Sequence, residues 1–395
     1  MRRRFDIVLF WFMNDWGLYG RAYEKIAEHL AGLEDVRRVI CVLPPAWLWK
    51  GYCPFPFDIR KPRGKLFVLT PNAWWIPARF PLSSVRRVIN ERFAPYSLAR
   101  FLTAMTEGRR NTIFWVFPPH RYIDDLLNLV PYRFLVTQIV DNNIYKERDP
   151  REKIEFVKSQ YEDLAKKSNV VITSSRMNHD HFRLMNPECH LFENALDPVF
   201  LGTPTGFPYR RNGTRPRLGY VGWITQRTDL DLLRFIAGSR PDCDLVLAGP
   251  IDVPDQDFAK LLLPNVRYEG VVPYSRMPDY LRSIDVCLIT HRDTSYSRSM
   301  SPLKLFQYLG SGRPIVSTRV AGADRWDGLI AVAEDPSGFV EKIDETLRND
   351  TVDSSRRRIE AVRKETWEHR VRDMFDAVIR AVEIDPAPAI SVEPT

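Results

Sequence analysis

Short apolar runs alternate with amphipathic stretches along the chain, and this alternation limits the possible folds more than any other feature. In the first half, the runs with the composition of buried strands are FDIVLFWF, RRVICVLPP, KLFVLTP, NTIFWVF, YRFLVTQIVD and NVVITSS. Stretches with helical periodicity lie between some of them, for example GRAYEKIAEHLAGL and EKIEFVKSQYEDLAKKS. The pattern predicts an α/β fold with a parallel sheet that is covered on both faces.

A second series begins after residues 201–216, which have the Gly, Pro and Arg content of a linker. Its strand-like runs are RLGYVGWI, CDLVLAGP, VRYEGVV, DVCLITH and PIVST. A chain of 395 residues suits two domains. We therefore predict two doubly wound domains that meet at a cleft, with ligands at the carboxyl ends of the strands. The predicted parts are residues 1–200, residues 215–364, a helix 365–383 that joins the first domain, and a disordered tail 384–395.

Composition favours a soluble globular protein, because 44% of the residues are hydrophobic and 27% are charged. No apolar run reaches the ~20 residues needed to cross a bilayer. The N-terminal MRRRFDIVLFWFM is interrupted by Asp6 and lacks a cleavage site, so we interpret it as a strand. Five scattered cysteines without a CxxC spacing exclude a zinc ribbon and predict reduced thiols in a cytoplasmic protein. Cys41, Cys243 and Cys287 fall in or beside strand-like runs and are expected to be buried.

Positive charge is concentrated in the first half. Residues 1–200 contain 30 Lys and Arg against 22 Asp and Glu, whereas the remainder contains 27 against 28. The basic half also holds aromatic clusters, such as PPAWLWKGYCPFPFD and PNAWWIPARF. This combination is compatible with nucleic acid, with an anionic membrane surface, or with an anionic substrate. A solvated basic face with ordinary core aromatics is the simpler alternative.

The stretch SMSPLKLFQYLGSGRPIVST, residues 299–318, predicts a helix with an unusual first turn. Ser301 suits the N-cap, Pro302 suits the first helical position, and Gly310 with Gly312 can end the helix. Lys304 lies in the first turn, where the helix macrodipole disfavours a cation. A bound anion would explain the lysine.

The preceding strand DVCLITH places the start of this helix at the carboxyl edge of the sheet, where free N–H groups and Lys304 can bind phosphate. The loop RDTSYSRSM adds Arg292, Tyr296 and Arg298 as possible contacts. Gly222 follows the strand of GYVGWI, where a missing side chain lets a phosphate approach the backbone. The alternatives are a tight turn at Gly222 and a solvated Lys304. Each alternative is at least as favoured when its feature is taken singly; combined with the resemblance described next, the features favour a diphosphate site.

PLKLFQYLGSGRPIVST resembles the (S/N)P-x-K-L-x-E-Y-L-x-x-G-x-P-V-V-x-T stretch of family 4-like bacterial glycosyltransferases, including those of teichuronic acid synthesis. GYVGWI, LVLAGP, NVRYEGVVPYSRMPDYL and ENALD follow the order of the same family. The resemblance implies a GT-B fold, with the sugar nucleotide held by the second domain and the acceptor by the first. The candidate donor-binding residues are Gly222, Trp223, Val271, Tyr296, Ser301, Lys304 and Gln307.

The sequence departs from that family at one motif. Retaining members carry Glu-x7-Glu, and its two positions are Ser299 and Gln307 here. The segment is more similar to the inverting glucuronosyltransferase of xanthan assembly, which has MKLLQY at this site. That resemblance implies Asp141, in TQIVDNN, as the catalytic base.

Inversion requires one base to take the proton of the acceptor hydroxyl. Asp15, in the loop after the first strand, competes with Asp141 for this role, and capping is the alternative for either aspartate. Arg21 and Trp16 are candidate acceptor-binding residues, although Arg21 could instead pair with Glu24 on the surface.

We expect no metal and no other cofactor. His120, His179 and His181 lack a supporting set of carboxylates, so solvated or capping roles are expected for them, and no Asp-x-Asp motif follows a strand. The predicted protein is a cytoplasmic, inverting glycosyltransferase that uses a UDP-sugar. Its predicted acceptor is a polyprenyl-diphosphate-linked glycan at the inner membrane surface, with no nucleic acid involved. The alternatives are a retaining transferase, a sugar-nucleotide 2-epimerase, and a non-enzymatic protein that binds anionic surfaces.

Overall fold

The computed structural model describes residues 4–13, 15–44, 57–71, 95–120, 122–145, 150–204 and 215–384. The chain divides into two compact units. The first unit comprises Met1–Thr173, Asn178–Phe192 and Val371–Thr395, and the second comprises Ser174–Met177 and Glu193–Arg370. Residues 385–395 of the predicted tail and most of the predicted linker lie outside the described residues.

The first unit is built on an eight-stranded sheet with the order β3-β4-β2-β1-β5-β6-β7-β8. Its strands are Phe5–Phe10 (β1), Val36–Val42 (β2), Phe57–Arg63 (β3), Leu66–Pro71 (β4), Thr112–Val116 (β5), Phe134–Ile139 (β6), Val170–Thr173 (β7) and Cys189–Leu191 (β8). Every residue of β1, β5 and β6 is buried, as the continuous apolar runs predicted.

One edge strand corrects the prediction of a purely parallel sheet. β3 pairs antiparallel with β4, while the other pairings in this sheet are parallel. The sequence of β3, FDIRKPR, is too polar to be recognised as a buried strand. Charged residues and proline are common on sheet edges, where they discourage pairing with other chains.

Helices cover the first sheet. They are Ala22–Gly32 (α1), residues 95–105 (α2), Ile123–Leu129 (α3), Arg151–Lys167 (α4) and Arg176–Phe182 (α5). The predicted C-terminal helix is Trp367–Ile384 (α13), and its residues from Val371 onward count with this unit. The ring of Phe375 packs edge-on against that of Phe5, with 6.3 Å between the centroids, so α13 contributes to the core of the first unit.

The second unit contains a parallel six-stranded sheet with the order β13-β11-β9-β14-β15-β16 and a small sheet of β10 and β12. Its strands are Arg217–Val221 (β9), Ile224–Thr225 (β10), Asp244–Ala248 (β11), Ile251–Asp252 (β12), Val266–Tyr268 (β13), Val286–Ile289 (β14), Ile315–Thr318 (β15) and Ala331–Ala333 (β16). Its helices are Leu230–Ser239 (α6), Asp255–Ala259 (α7), Met277–Arg282 (α8), Ser295–Arg298 (α9), Leu303–Ser311 (α10), Pro336–Asn349 (α11) and Val352–Val362 (α12).

Strand order reverses between β9 and β14, which are neighbours in the sheet but distant in sequence. In doubly wound sheets, ligands bind at the carboxyl ends of the strands beside such a reversal. Gly222 follows β9, and the loop into α10 follows β14. The fold therefore places the two predicted phosphate-binding features at the same edge.

The start of α10 differs from the prediction. Pro302 occupies the N-cap position and no side chain caps the helix. The hydroxyl of Ser301 instead accepts a hydrogen bond from the backbone N–H of Asn194, at 3.1 Å. The helix ends at Gly312, whose φ of +74° suits a glycine, so the predicted stop is confirmed.

Candidate functional site

The loops after β9 and β14 are joined at the carboxyl edge of the second sheet. Thr228 and His291 pair as an isolated antiparallel bridge. The N–H of Arg292 donates to the carbonyl of Arg227 at 2.8 Å, and that of Asp229 donates to the carbonyl of Thr290 at 2.8 Å. Because the two loops are tied together, side chains that are distant in sequence are held at one place.

Lys304, in the first turn of α10, projects its amine to this edge. The Nζ atom lies 3.7 Å from the centroid of the Tyr220 ring. It is buried and has no hydrogen-bond acceptor among the described residues. Burial lowers the pKa of Lys304, while the neighbouring Tyr220 opposes that shift. Burying a cation without an acceptor costs free energy, so an anionic ligand would be bound favourably here.

Gly222 lies against the same amine. A Cβ added to Gly222 would be 3.2 Å from Nζ of Lys304, and the φ of this residue is +134°. Gly249, after β11, has a φ of +138°, and its Cβ would lie 2.2 Å from the carbonyl oxygen of Gly222. Both positions therefore require glycine, and the backbone at Gly222 stays open beside the lysine.

Arg227 and His291 complete the cluster, and the sequence did not single them out. The Nε atom of Arg227 and the Nε2 atom of His291 are buried without hydrogen-bond partners among the described residues. Burial lowers the pKa of His291 well below its usual value, and the charges of Lys304 and Arg227 lower it further. No described carboxylate pairs with Lys304 or Arg227. The cluster thus has two cations beside a neutral imidazole and no anion of its own.

The loop arginines that the sequence suggested as phosphate contacts are engaged elsewhere. Arg298 is exposed and donates to both carboxylate oxygens of Asp293, at 2.7 and 3.0 Å. Arg292 donates to Asp231 at 3.4 Å. Their charges are matched by surface carboxylates, and contact of these two arginines with phosphate stays a prediction.

The other predicted donor-binding residues have varied surroundings. Trp223 and Tyr296 are half-buried, and Gln307 is half-buried on α10. Val271 is 52% exposed just beyond β13. Ser299, at the first position of the Glu-x7-Glu motif, is fully buried and donates to the carbonyl of Tyr296 at 2.8 Å. Contact of these side chains with a donor stays a prediction.

Asp141 lies two residues beyond β6 in the first unit. Its carbonyl accepts a hydrogen bond from the hydroxyl of Tyr161 at 2.9 Å, and that hydroxyl also accepts from Asn143 at 3.1 Å. The half-buried carboxylate itself has no hydrogen-bonding or ionic partner in the described part of the chain. A fixed backbone with a free, accessible carboxylate suits a general base.

Asp15, the competing base candidate, is only 5% exposed and fully engaged. It accepts hydrogen bonds from Arg21 Nε at 2.7 Å, the Tyr23 hydroxyl at 3.2 Å and Trp11 Nε1 at 3.3 Å. Trp16 packs edge-on against Tyr23, with 5.5 Å between centroids. Arg21 pairs with Asp15 rather than with Glu24, so that surface pairing is not observed. These contacts give Asp15 a structural role at the start of α1.

Glu24 is also buried, and it accepts a hydrogen bond from the N–H of Gly17 at 3.0 Å. Burial raises the pKa of Glu24 to about 7. Between its ordinary value of 4.5 and about 7, the folded state therefore holds a proton that the unfolded state releases. The free energy of unfolding should fall as pH rises through this window and change little above it.

We expect Glu24→Gln to raise the free energy of unfolding at pH 8 by about 1–3 kcal/mol and to change it little at pH 4.5. The amide keeps an acceptor for Gly17 while it removes a buried charge. Urea unfolding at the two pH values measures the effect, and Glu28→Gln on the same helix is the control. An equal change at both pH values would contradict the assignment.

His120 and the described cysteines are buried. His120 is 1% exposed rather than solvated; its Nδ1 accepts from the N–H of Tyr122 at 3.4 Å, and burial lowers its pKa to about 3. Cys41, Cys243 and Cys287 are buried as predicted, while Cys53 lies outside the described residues. Among the described residues, no group of His, Cys, Asp or Glu is arranged to hold a metal ion, and no helix is long and apolar enough to cross a membrane.

Comparison with solved structures identifies the fold. Sucrose-phosphate synthase from Thermosynechococcus elongatus superposes with a TM-score of 0.72 at 14% identity, covering 97% of this chain and 100% of that one. An α,α-trehalose-phosphate synthase (UDP-forming) from Burkholderia vietnamiensis gives 0.63 at 13% identity, covering 95% and 97%. The chain has the GT-B fold of glycosyltransferases.

Sequence comparison also finds that part of this GT-B chain is similar to glycosyltransferases. Residues 227–376 match the family described as "Glycosyl transferase-like". The "Putative teichuronic acid biosynthesis glycosyltransferase TuaH" of Bacillus subtilis (strain 168) is 32% identical over 111 residues. That match covers 27% of this chain and 28% of the length of the relative. The family match contains Arg227, His291 and Lys304, whereas the resemblance to the xanthan-type enzyme stays a prediction.

Proposed function

We propose that the protein transfers a sugar from a nucleotide diphosphate sugar to a saccharide acceptor. The observation that supports the proposal is the cluster of Gly222, Arg227, His291 and Lys304 at the strand reversal of the second sheet. A diphosphate would supply the acceptors that the Lys304 amine and the Nε atom of Arg227 lack. The same cations would stabilise the negative charge that develops on the leaving diphosphate during transfer.

The proposed donor is a UDP-sugar, and no metal is needed in this proposal because the two cations neutralise the leaving group. A structural neighbour described as UDP-forming supports this donor class. The proposed acceptor is a glycan or a lipid-linked saccharide held by the first unit. The teichuronic acid pathway named for TuaH supports an acceptor of that class. We place the protein in the cytoplasm, with reversible contact to the inner membrane surface.

We propose an inverting reaction with Asp141 as the base. Neither Ser299 nor Gln307 offers a carboxylate to the second unit at the positions used by retaining relatives. The proton of the acceptor hydroxyl would pass to Asp141 as the oxygen attacks the anomeric carbon and the bond to the diphosphate breaks. The comparisons favour neither the epimerase nor the non-enzymatic alternative, because the matched family and TuaH are both described as glycosyltransferases.

A panel of UDP-, GDP- and dTDP-sugars tests the function. We expect slow release of UDP from one UDP-sugar without an acceptor, and faster release when saccharides of the surface-polysaccharide type are added. Conversion of the donor sugar without release of nucleotide would indicate an epimerase. The absence of both reactions, together with the absence of UDP binding, would contradict the proposal.

The membrane contact is assigned to the basic, aromatic stretch Trp74–Arg110, of which residues 74–94 lie outside the described residues. We expect reversible attachment to anionic vesicles, because each Lys or Arg near such a surface contributes about 1 kcal/mol. Co-sedimentation with anionic and neutral liposomes at low and high salt measures the attachment. Equal recovery with both kinds of vesicle would exclude this role.

A further inference from the structure

Tyr220 lies directly beneath the Lys304 amine and is held in one orientation. Its side chain is fully buried near the end of β9, and the ring centroid is 3.7 Å from Nζ. The hydroxyl donates to the carbonyl of Trp223 at 3.1 Å and shares a hydrogen bond with Thr228 Oγ1 at 2.8 Å. Thr228 in turn accepts from the N–H of Thr225 at 3.1 Å. The ring is thus fixed by the same loop that carries Arg227.

Tyr220 is the neighbour that compensates the buried amine. The face of an aromatic ring attracts a cation, and the attraction grows when water is excluded. The positive charge of Arg227 acts in the opposite direction and lowers the pKa of Lys304. The Lys304 amine has no hydrogen-bond acceptor among the described residues. Tyr220 is therefore the neighbour that favours the charged form of the lysine, and the amine lies over the face of its ring.

We propose that Tyr220 is a positioning residue whose ring keeps the Lys304 amine charged and beside Gly222, ready to meet a diphosphate. This inference rests on the proposed role of the cluster in binding diphosphate. In this proposal the ring and the hydroxyl of Tyr220 have separate functions. The ring acts on Lys304, whereas the hydroxyl braces the loop from Trp223 to Thr228.

Two variants separate the ring from the hydroxyl. Tyr220→Phe keeps the aromatic face, and Tyr220→Leu removes it while the position stays apolar. The titration of Lys304 is followed by NMR of 13C-labelled lysine side chains, with Lys304→Arg used to assign the signal. This titration requires no nucleotide, so it tests the role of Tyr220 independently of the proposed function.

We expect the Lys304 titration midpoint in Tyr220→Leu to lie on the order of one pH unit below that in Tyr220→Phe. We also expect the dissociation constant for UDP to rise about tenfold in Tyr220→Leu and to change less than about threefold in Tyr220→Phe. In a Lys304→Ala background, Tyr220→Leu should have little additional effect on UDP affinity. A purely structural role for the tyrosine would shift the thermal unfolding temperature but not the lysine titration.

Equal Lys304 midpoints in the Leu and Phe variants would overturn the inference. If Tyr220→Leu does not fold, Tyr220→Met fills more of the space and serves the same comparison. A shifted midpoint in a protein that fails to bind UDP would support the positioning role of Tyr220 and overturn the proposed function. The lysine titration therefore tests the role of Tyr220, and UDP binding separately tests the proposed function.

Discussion

Asp141→Asn should lower the rate of sugar transfer by about 10²–10⁴-fold, the usual cost of losing a general base. The amide preserves the shape of the side chain but cannot accept the proton of the acceptor hydroxyl. The backbone at Asp141 is held through the Tyr161 hydroxyl and not through the carboxylate, so the fold should be unaffected. UDP affinity should be nearly unchanged, because the proposed donor site lies in the second unit.

Steady-state transfer rates and the anomeric configuration of the product measure this effect. Asp125→Asn, an exposed position on α3, is the matched control and should transfer at the wild-type rate. Asp15→Asn should lower the rate less than Asp141→Asn and should instead reduce stability through the loss of the Arg21 ion pair. Transfer at the wild-type rate by Asp141→Asn, or a product that retains the configuration of the donor, would contradict Asp141 as the base and favour the retaining mechanism.

Lys304→Ala should weaken UDP binding by about 1.5–3 kcal/mol, the scale of a hydrogen bond to a charged group. The unfolding equilibrium offers a second test. Because the buried amine has no hydrogen-bond acceptor among the described residues, replacement by Met should not lower the free energy of unfolding. Loss of binding without loss of stability is typical of a residue retained for function.

Calorimetry with UDP and urea unfolding measure the two effects. Lys342→Ala is the control, because this lysine of the same unit lies on the surface of α11 and pairs with Glu345 at 2.8 Å. Unchanged UDP affinity in folded Lys304→Ala would exclude the phosphate role. A marked loss of stability in Lys304→Met would instead assign the lysine to the core.

The sequence predicted the α/β class and most strands because parallel strands that are buried on both faces form continuous apolar runs. β3 was missed because an edge strand does not need a continuous apolar run. Its sequence FDIRKPR has few apolar residues, several charged ones and a proline. Its antiparallel pairing with β4 could not be read from composition.

Parts of the site were visible locally and parts were not. Gly222 and Lys304 were found because a glycine after a strand and a cation in the first turn of a helix are both local anomalies. Arg227 and His291 were missed because they meet only when the loops after β9 and β14 pair, which is a tertiary event.

One local expectation failed for a similar reason. Ser301 has the propensity of an N-cap, but its hydroxyl is taken by Asn194, 107 residues away in sequence. For Asp15 the sequence left a catalytic and a capping role open; the structure surrounds it with Trp11, Arg21 and Tyr23, and its catalytic role stays a prediction. Propensity describes a residue without its tertiary partners, and here those partners decided the outcome.

A calorimetric comparison of UDP with UMP tests most directly whether the cluster around Lys304 recognises a diphosphate. The two ligands share base, ribose and first phosphate, so the difference in affinity reports the second phosphate. We predict that wild-type protein binds UDP at least about tenfold more tightly than UMP, and that Arg227→Ala with Lys304→Ala abolishes most of this difference. Equal affinity for UDP and UMP in the wild-type protein would contradict the account.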